Sequence, residues 1–566
     1  MGGTSDTRRR AAAALEELAL LAELAGENPF KVRAYANAAR AIARAPDEIE
    51  ALAARGELTT LPGIGKGIAA IVAEVVGSGE PAQLAELRSR VPAGLPELLA
   101  LPGLGPKRAR TLWQALGIAS LGELEYACRE NRLLSLTGFG PATQSSILGA
   151  IEFRRRASAS RHLSDGWQAS EEVAAVLRGA APDARVAVAG EVRRYCEIVN
   201  EAVVVCAGAP PAALMPVLAG LLQDAATDAS GGVAGRHACG LPVRVVTAAR
   251  DSFGAALVWY TGSARHLERL AERAASSGMT FAAGALTEAA GNAVACAEET
   301  DLYGRLGLPW IPPELREAEG EIEAAAAGAL PRLVAAGDVL GAVHVHTTDS
   351  DGAASLDAMA AAAAALGWSL LGVADHSQAA AYAHGLDAAR LRAQGEAIAA
   401  HNARGGKPLI LRGTEADVLP DGTLDLPEGV ELDFVVASVH SSFRQSVEAQ
   451  TARLVRAVSR GPGTILGHPT GRLLLARDGY RVDLEAVLQA AAASGAAVEI
   501  NAHPFRLDLD WRWVRRAVAL GVPISIGPDA HDPAGLADVR WGVGIARKGW
   551  ATATDVLNAR AWPWWP

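Results

Sequence analysis

The chain has 566 residues, half of them apolar, with 53 Lys+Arg against 63 Asp+Glu for a net charge of −10. That length is too great for one core and implies three or four domains. Five scattered cysteines without a CxxC pair argue against a disulfide framework or a zinc knot. The amino terminus lacks the apolar stretch of a secretory signal and no apolar run is long enough to span a bilayer, so a soluble cytoplasmic protein with no membrane partner is expected. The acidic balance argues against a nucleic-acid partner at face value, but it is uneven. Residues 1–160 hold 19 Lys+Arg and 17 Asp+Glu, so the acidic excess lies in the remainder.

In the first third, three segments repeat one design: Leu61-Pro-Gly63-Ile-Gly65-Lys66-Gly67, Leu101-Pro-Gly103-Leu-Gly105-Pro-Lys107-Arg108 and Leu136-Thr-Gly138-Phe-Gly140-Pro-Ala142. Each predicts two helical stretches joined through Gly-hydrophobic-Gly. The glycines permit a tight turn and close backbone approach, and the amides opening the second helix face an anion. This is the helix-hairpin-helix pattern, which grips DNA phosphates without reading sequence. Gly63, Gly65, Lys66, Gly103, Gly105, Lys107, Arg108, Gly138 and Gly140 are therefore the candidate DNA-binding residues. The third copy, with Ala142 in place of a basic residue, is the weakest. Upstream, the run Asn28-Pro29-Phe30-Lys31-Val32-Arg33-Ala34-Tyr35 reads as a Pro-initiated helix. Together with the first hairpin it resembles the small N-terminal domain of family X DNA polymerases. The resemblance implies a Schiff-base lysine on the following helix in lyase-active members; Ile71 stands there, and without an amine no such lyase activity is expected. It also implies K⁺ or Na⁺ ions at the hairpin loops.

Residues 161–330 carry Gly190-Glu191-Val192-Arg193-Arg194, Tyr260-Thr261-Gly262-Ser263 and Leu306-Gly307-Leu308-Pro-Trp-Ile-Pro312-Pro313-Glu314-Leu315-Arg316. These are similar to the palm and thumb of the same polymerases, and their order before the last segment matches bacterial PolX. Nucleotidyl transfer needs two Mg²⁺ ions held by three carboxylates. The resemblance puts those carboxylates at Glu201, Val203 and Pro242, so one of three is kept, and as Glu. Its triphosphate-binding serine is Glu191, whose charge repels a phosphate, and the polar residue expected after Thr-Gly-Ser is Leu267. A palm without polymerase chemistry is expected, with Arg193 and Arg194 left to contact DNA or to support the fold.

Between residues 344 and 531 the chain sets out His344-Val-His346, Asp351, Asp375-His376, Glu415, His440, His468 and Asp529-Ala-His531, most of them ending a short apolar run. Nine of the twelve histidines fall in this region. Strands that deliver His and carboxylates from their ends onto one barrel face build a multinuclear metal site. Mixed imidazole and carboxylate donors suit Zn, Mn or Fe, and their number exceeds what one tetrahedral ion needs, so two or three divalent ions are expected. The motifs His344-Val-His346-Thr-Thr-Asp-Ser-Asp351-Gly, Ala-Asp375-His376-Ser, Gly-Thr-Glu415-Ala-Asp, Gly-His468-Pro-Thr-Gly-Arg472, Glu499-Ile-Asn501 and Pro-Asp529-Ala-His531 resemble the PHP (polymerase and histidinol phosphatase) domain. That resemblance implies a distorted (β/α)7 barrel with a trinuclear centre held by His344, His346, Asp351, His376, Glu415, His440, His468, Asp529 and His531. A first grouping places His344, His346, Glu415 and Asp529 on one ion and the other five donors on the rest. Gly527-Pro528 replaces the Ser-Thr-like pair usual before the aspartate. Asp375, Arg472 and Arg506 are candidate catalytic residues, the arginines for scissile-phosphate contacts.

The expected organisation is multidomain α plus α/β. It comprises a helical domain with the first hairpin over 1–85, tandem hairpins over 86–160, a degenerate palm and thumb over 161–330, and the PHP barrel over 335–566. The resemblance implies a DNA-repair protein, monomeric, acting on gapped, nicked or 3′ ends. Its PHP domain would be a 3′–5′ exonuclease with 3′-phosphatase or abasic-site endonuclease action as further options. An active gap-filling polymerase and a non-enzymatic DNA-end scaffold with a structural metal cluster are the rivals.

Overall fold

The computed structural model describes residues 4–43, 49–61, 63–101, 103–156, 160–228 and 231–560, so Pro62 and Pro102 of the hairpin motifs lie outside the described residues. The chain forms two compact units, Met1–Ile151 and Glu152–Pro566.

The first unit is helical. Its opening helix, Thr4–Ala25, buries Ala11, Leu15, Leu18 and Ala22, one face at helical spacing, in a core shared with Tyr35, Ala38 and Ile42 of the Pro29–Ala43 helix. The three hairpins are built alike. In each, an apolar residue between the glycines is buried (Ile64, Leu104, Phe139) and its amide donates to the carbonyl three residues back, at 3.1 Å in all three copies. Gly63, Gly103 and Gly138 sit at φ of 82°, 80° and 89°, where a side chain is disfavoured. The second helices are Lys66–Ser78, Pro106–Leu116 and Pro141–Arg156.

The second unit opens with a five-stranded mixed sheet in the order Arg185–Ala189, Ala202–Ala207, Pro242–Ala248, Val233–Arg236, Gln223–Thr227. The strand Ala202–Ala207 is buried along its whole length. Its alternate residues serve two cores: Ala202, Val204 and Cys206 face one cluster, and Val203, Val205 and Ala207 face another with Val246, Phe253 and Leu257. After the thumb-like helices and hairpin, the chain runs through parallel strands in chain order. Gly341–Val345, Leu370–Val373 and Leu409–Arg412 form one sheet. Glu415–Asp417, Val435–Ser438, Thr464–Leu466, Ala497–Asn501 and Ile524–Gly527 form the other. Parallel bridges join the two sheets: His376, just beyond the central strand of the first, to Glu415, and Val345, on its edge strand, to Ala530. With Leu409–Arg412 and Glu415–Asp417 counted as one interrupted strand, this is the connectivity of a distorted seven-position barrel.

The segments before and after residue 330 share one core beside smaller clusters of their own. One apolar cluster runs from Leu163, Val192 and Val204 through Val334 to Val498, Trp541 and Val556. Trp167 packs edge-on against Trp541 at 5.8 Å, and a Cβ at Gly544 would lie 1.8 Å from the Tyr195 ring. Lys548 donates to the Arg194 carbonyl at 3.0 Å and Arg547 Nε to Glu314 Oε1 at 2.6 Å. No described helix is long and apolar enough to cross a membrane.

Candidate functional site

Short apolar runs fix the barrel strands, and most of the ligand-type side chains sit at a strand end or one to three residues beyond it. Three of these positions are backbone-strained: His344, His468 and Asp529 have φ of 70°, 25° and 53°. Non-glycine residues held there are uncommon and cluster at functional sites. Four overlapping donor groups form at the rim: His346, Asp351, His376 and His531; His344, His468 and Asp529; His344, His346 and Glu415; and His376, Glu415 and His440. All nine sequence-derived donors are brought together, and three of the four placed on one ion in the first grouping, His344, His346 and Glu415, share a group. His346 faces Asp351 with Nδ1 (3.9 Å) and Asp529 with Nε2 (3.1 Å). Glu415 is the hub. Its Oε1 lies 3.0 Å from His468 Nε2, 3.1 Å from His440 Nε2 and 3.3 Å from His344 Nε2, while its Oε2 lies 2.9 Å from His376 Nδ1.

The chemistry of this set fits divalent cations. His344 Nε2, His346 Nδ1 and His468 Nδ1 are buried without a hydrogen-bond partner among the described residues. His344 Nε2 faces Glu415 Oε1 and Asp529 Oδ1 at 3.3 and 3.4 Å, so a shared cation would satisfy all three atoms. Burial opposes the charge on Glu415 and Asp529, but the surrounding imidazoles outweigh it and hold both carboxyls well below the usual carboxylate range. Burial pushes His468 down to about 3 and lowers His346, keeping both in the neutral, ligating form. Burial also opposes charge on His344, yet the Glu499, Asp529 and Glu415 carboxylates raise it well above an ordinary histidine. Without cations, protons on such imidazoles balance the carboxylates.

Supporting residues outside the sequence-derived list hold these donors. Glu499 takes His344 Nδ1 at 2.6 Å on one oxygen and the His468 amide at 2.8 Å on the other. Asp417 takes His440 Nδ1 at 2.5 Å, and Asn501 donates to Asp529 Oδ2 at 3.0 Å. Such partners fix the tautomer and aim of a ligand. Each lies two residues from another inward side chain on its strand (Glu415 and Asp417, Glu499 and Asn501), and that period of two was the available signal. Gly527 has a local reason as well: a Cβ there would sit 2.1 Å from Glu499 Oε1. His503, half-buried near Asp529 and pushed by burial down to about 3, is a neutral imidazole on the same wall.

The three candidate catalytic residues separate. Asp375 is fully buried and its oxygens accept from the Thr347 amide (2.8 Å), Thr347 Oγ1 (2.7 Å), Ser350 Oγ and Gln394 Nε2 (2.6 Å). It ties down the loop carrying Asp351 and does not face the donor cluster. Arg472 is equally committed. Its Nε donates to the Arg506 carbonyl at 3.0 Å, and its Nη atoms reach the Leu507 carbonyl, Asp510 at 3.3 Å and Glu197 at 3.4 Å. It is a clamp between the sheet segment and the barrel, and a phosphate contact would cost it those partners. Arg506 stays at the site, with Nε 3.6 Å from Asp529 Oδ2.

At the palm-like site Val203 and the strand position of Pro242 offer no donor. Val203 belongs to the apolar cluster, and Glu201 is ion-paired to Arg244 at 2.5 Å. Glu191 accepts from the Asn200 amide at 2.6 Å and its side-chain amide at 3.1 Å. Arg193 and Arg194 support the fold: Arg193 and the buried Arg316 both clasp Glu299, and Arg194 pairs with Glu317 at 3.1 Å. Leu267 packs against the thumb-like core.

On the hairpins Lys66 and Lys107 are exposed, whereas Arg108 folds back to donate to the Gly103 carbonyl at 2.9 Å. Gly65, Gly105 and Gly140 begin the second helices with no described residue within 4 Å of where a Cβ would lie, and Gly65 and Gly105 have ordinary φ of −84° and −78°. Nothing among the described residues demands glycine at 65 and 105; an external surface approaching the backbone would. Ile71 lines a cavity of about 470 Å³ with Lys31, whose ammonium is paired to Glu27 at 2.7 Å and held protonated by it.

Family models match in the order of these structural segments: a helix-hairpin-helix domain at 6–81, a SAM-like helix-hairpin-helix tandem at 95–151, a DNA polymerase beta thumb at 256–317 and a PHP domain at 342–503. A DNA polymerase/3′-5′ exonuclease PolX of Bacillus subtilis is 34% identical over 97% of this chain and 96% of its own length. Probable phosphatases match within the last domain. One from Thermoanaerobacter sp. is 34% identical over 22% of this chain and 52% of its own, and one from Aliivibrio fischeri 30% over 22% and 51%.

Proposed function

Because the chain belongs to the bacterial PolX family, we propose that it is a DNA-binding phosphodiesterase whose one active centre is the barrel rim, working as a metal-dependent 3′–5′ exonuclease. The observation that carries this is the convergence of nine donors around Glu415 beside a palm-like sheet whose carboxylate positions hold Val203 and Pro242. Divalent ions bound there would supply an acidic coordinated water and neutralise charge on the scissile phosphate. The chain's own residues do the positioning. Glu415 offers an oxygen to each side of the cluster, Glu499 and Asp417 aim His344 and His440, and Arg506 places a guanidinium beside Asp529 for a phosphate oxygen. His344, His346, Asp351, His376, Glu415, His440, His468, Asp529 and His531 are the proposed ligands of Mn²⁺, Zn²⁺ or Fe²⁺.

The three hairpins hold DNA by its phosphates through Gly63, Gly65, Lys66, Gly103, Gly105, Lys107, Gly138 and Gly140, with a monovalent cation at the turns, so gapped, nicked and 3′-ended DNA are the proposed substrates. Phosphatase relatives of the barrel favour a second reading, removal of a 3′-phosphate at the same centre. The site of action is the bacterial cytoplasm and the protein acts as a monomer. The test is purified protein on gapped primer-template DNA with Mn²⁺ and deoxynucleotides. Stepwise 3′ shortening, abolished by chelator and without extension, is expected. Extension that disappears in Glu201→Ala would restore the polymerase reading, and saturating metal with no hydrolysis would leave a scaffold.

A further inference from the structure

The turn between strands Val233–Arg236 and Pro242–Ala248 carries a cluster unrelated to either site above. Cys239 Sγ lies 3.1 Å from His237 Nδ1, and His237 Nε2 lies 2.9 Å from Glu172 Oε2 on the helix Leu163–Ala180. Gln168, one turn earlier, donates to the other Glu172 oxygen at 2.8 Å and fixes its aim. The Cys239 amide also donates to His237 Nδ1, at 3.3 Å, which sets the ring's resting tautomer: Nδ1 accepts, and Nε2–H donates to the carboxylate. Thiol and carboxylate therefore engage opposite ring nitrogens. That is the geometry of a proton relay, where the imidazole takes the thiol proton and the carboxylate steadies the resulting cation; a chelated ion would need the donors to converge.

We propose that Cys239 is a reactive thiol, activated by His237 and Glu172, and the chain's site of oxidation by hydroperoxides. The thiol proton moves to His237 Nδ1 and the thiolate attacks one peroxide oxygen. An S–O bond forms as the O–O bond breaks. The proton passes to the departing oxygen, so the thiol is oxidised to a sulfenic acid while the peroxide is reduced to water or an alcohol. The surroundings set this cysteine apart. The Leu241 amide and Arg161 add to the His237 contact and outweigh burial, lowering the Cys239 thiol, whereas burial raises Cys128 (to about 12), Cys196, Cys206 and Cys296. Cys239 is also half-exposed, which only Cys196 among the others matches. The buried Arg161 guanidinium donates to the Cys239 carbonyl at 2.7 Å and holds the turn in place.

The experiment is site-resolved alkylation of the native full-length protein with iodoacetamide at neutral pH, and sulfenic-acid trapping with dimedone after hydrogen peroxide, both read by peptide mass spectrometry. Cys239 is expected to react first in both. His237→Gln should slow its alkylation about tenfold, because the rate tracks the thiolate fraction, while leaving Cys196 unchanged. Glu172→Gln, a near-isosteric change at a side chain 43% exposed, should slow it less; it decides the matter if His237→Gln exposes every cysteine. Cys239 reacting no faster than Cys196, no dimedone adduct at Cys239, or an unchanged Cys239 rate in both variants would overturn the proposal.

Discussion

Two sets of strand ends in the same unit differ in what they offer a cation. At the barrel rim the donors are buried, strained and backed by further carboxylates, so every unusual feature has a purpose if cations sit among them. In the palm-like sheet Val203 offers no donor, and its strand face packs with Val205 and Val246. The nearby arginines and Glu191 turned to partners within the protein. Removing one carboxylate from a cation cluster leaves uncompensated charges that must be buried, paired or replaced.

The comparison breaks first at Glu415. Glu415→Ala removes the anion that faces His344, His376, His440 and His468. Bound cations would then repel across the gap, and metal content and nuclease rate should fall together, the rate by roughly 10³-fold or more on the scale of several kcal/mol of lost charge stabilisation. Metal analysis beside a 3′-end assay checks this. Full metal content with unchanged rate would mean that the rim is not the active centre.

Glu299 tests the other half, that the palm's arginines now serve the fold. Glu299→Gln leaves Arg193 and the buried Arg316 without their shared anion and should destabilise the second unit by about 3–5 kcal/mol. Burial opposes the Glu299 charge, but Arg316 and Arg193 hold its carboxyl down to about 2, against a usual 4.5. A lowered folded-state pKa gives stability that is fully present above about pH 4.5 and is lost as pH falls toward 2. Denaturant melts across that window should converge between wild type and variant as acid is added. A constant gap would assign the arginines' support to other groups.

A smaller effect is expected at Glu499, which touches no proposed cation position but aims His344 and braces His468. Glu499→Gln should lower metal affinity roughly 10–100-fold with the fold retained. Titration of the metal-free protein would show it, and an unchanged affinity would reduce Glu499 to a packing role.

These residues also mark what the sequence could and could not disclose. His344, His376, Glu415 and Asp529 were legible because each ends or follows a short apolar strand in a repeated pattern. Arg472 was not: its partner Glu197 lies 275 positions away in sequence, and no local pattern separates a phosphate contact from an ion pair across two segments. Asp375 had the right neighbourhood and the wrong direction, since the sequence cannot show that Thr347, Ser350 and Gln394 take up its oxygens. The core shared across residue 330 was hidden for a related reason. Each segment carries a complete apolar pattern of its own, and only assembly reveals that Trp167 and Trp541 close on each other.

The smallest expected change in stability belongs to the hairpins, where glycine serves two separate needs. At Gly63 the backbone itself requires it, with φ of 82°, so Gly63→Ala should cost about 1 kcal/mol or more of stability before DNA is present. At Gly65 φ is −84°, and no described residue comes within 4 Å of the space a Cβ would enter. Gly65→Ala should therefore leave the melting temperature unchanged or slightly raised, since an ordinary φ lets alanine reduce the freedom of the unfolded chain by about 0.4–1 kcal/mol. Its effect should appear only when a phosphate backbone approaches the amides opening the Lys66–Ser78 helix. DNA affinity should then fall uniformly across sequences, and the loss should persist at high salt, because a steric block adds no counterion term. If Gly65→Ala binds DNA like wild type, that glycine is free of any contact and the grip must rest on Lys66, Lys107 and the other two turns.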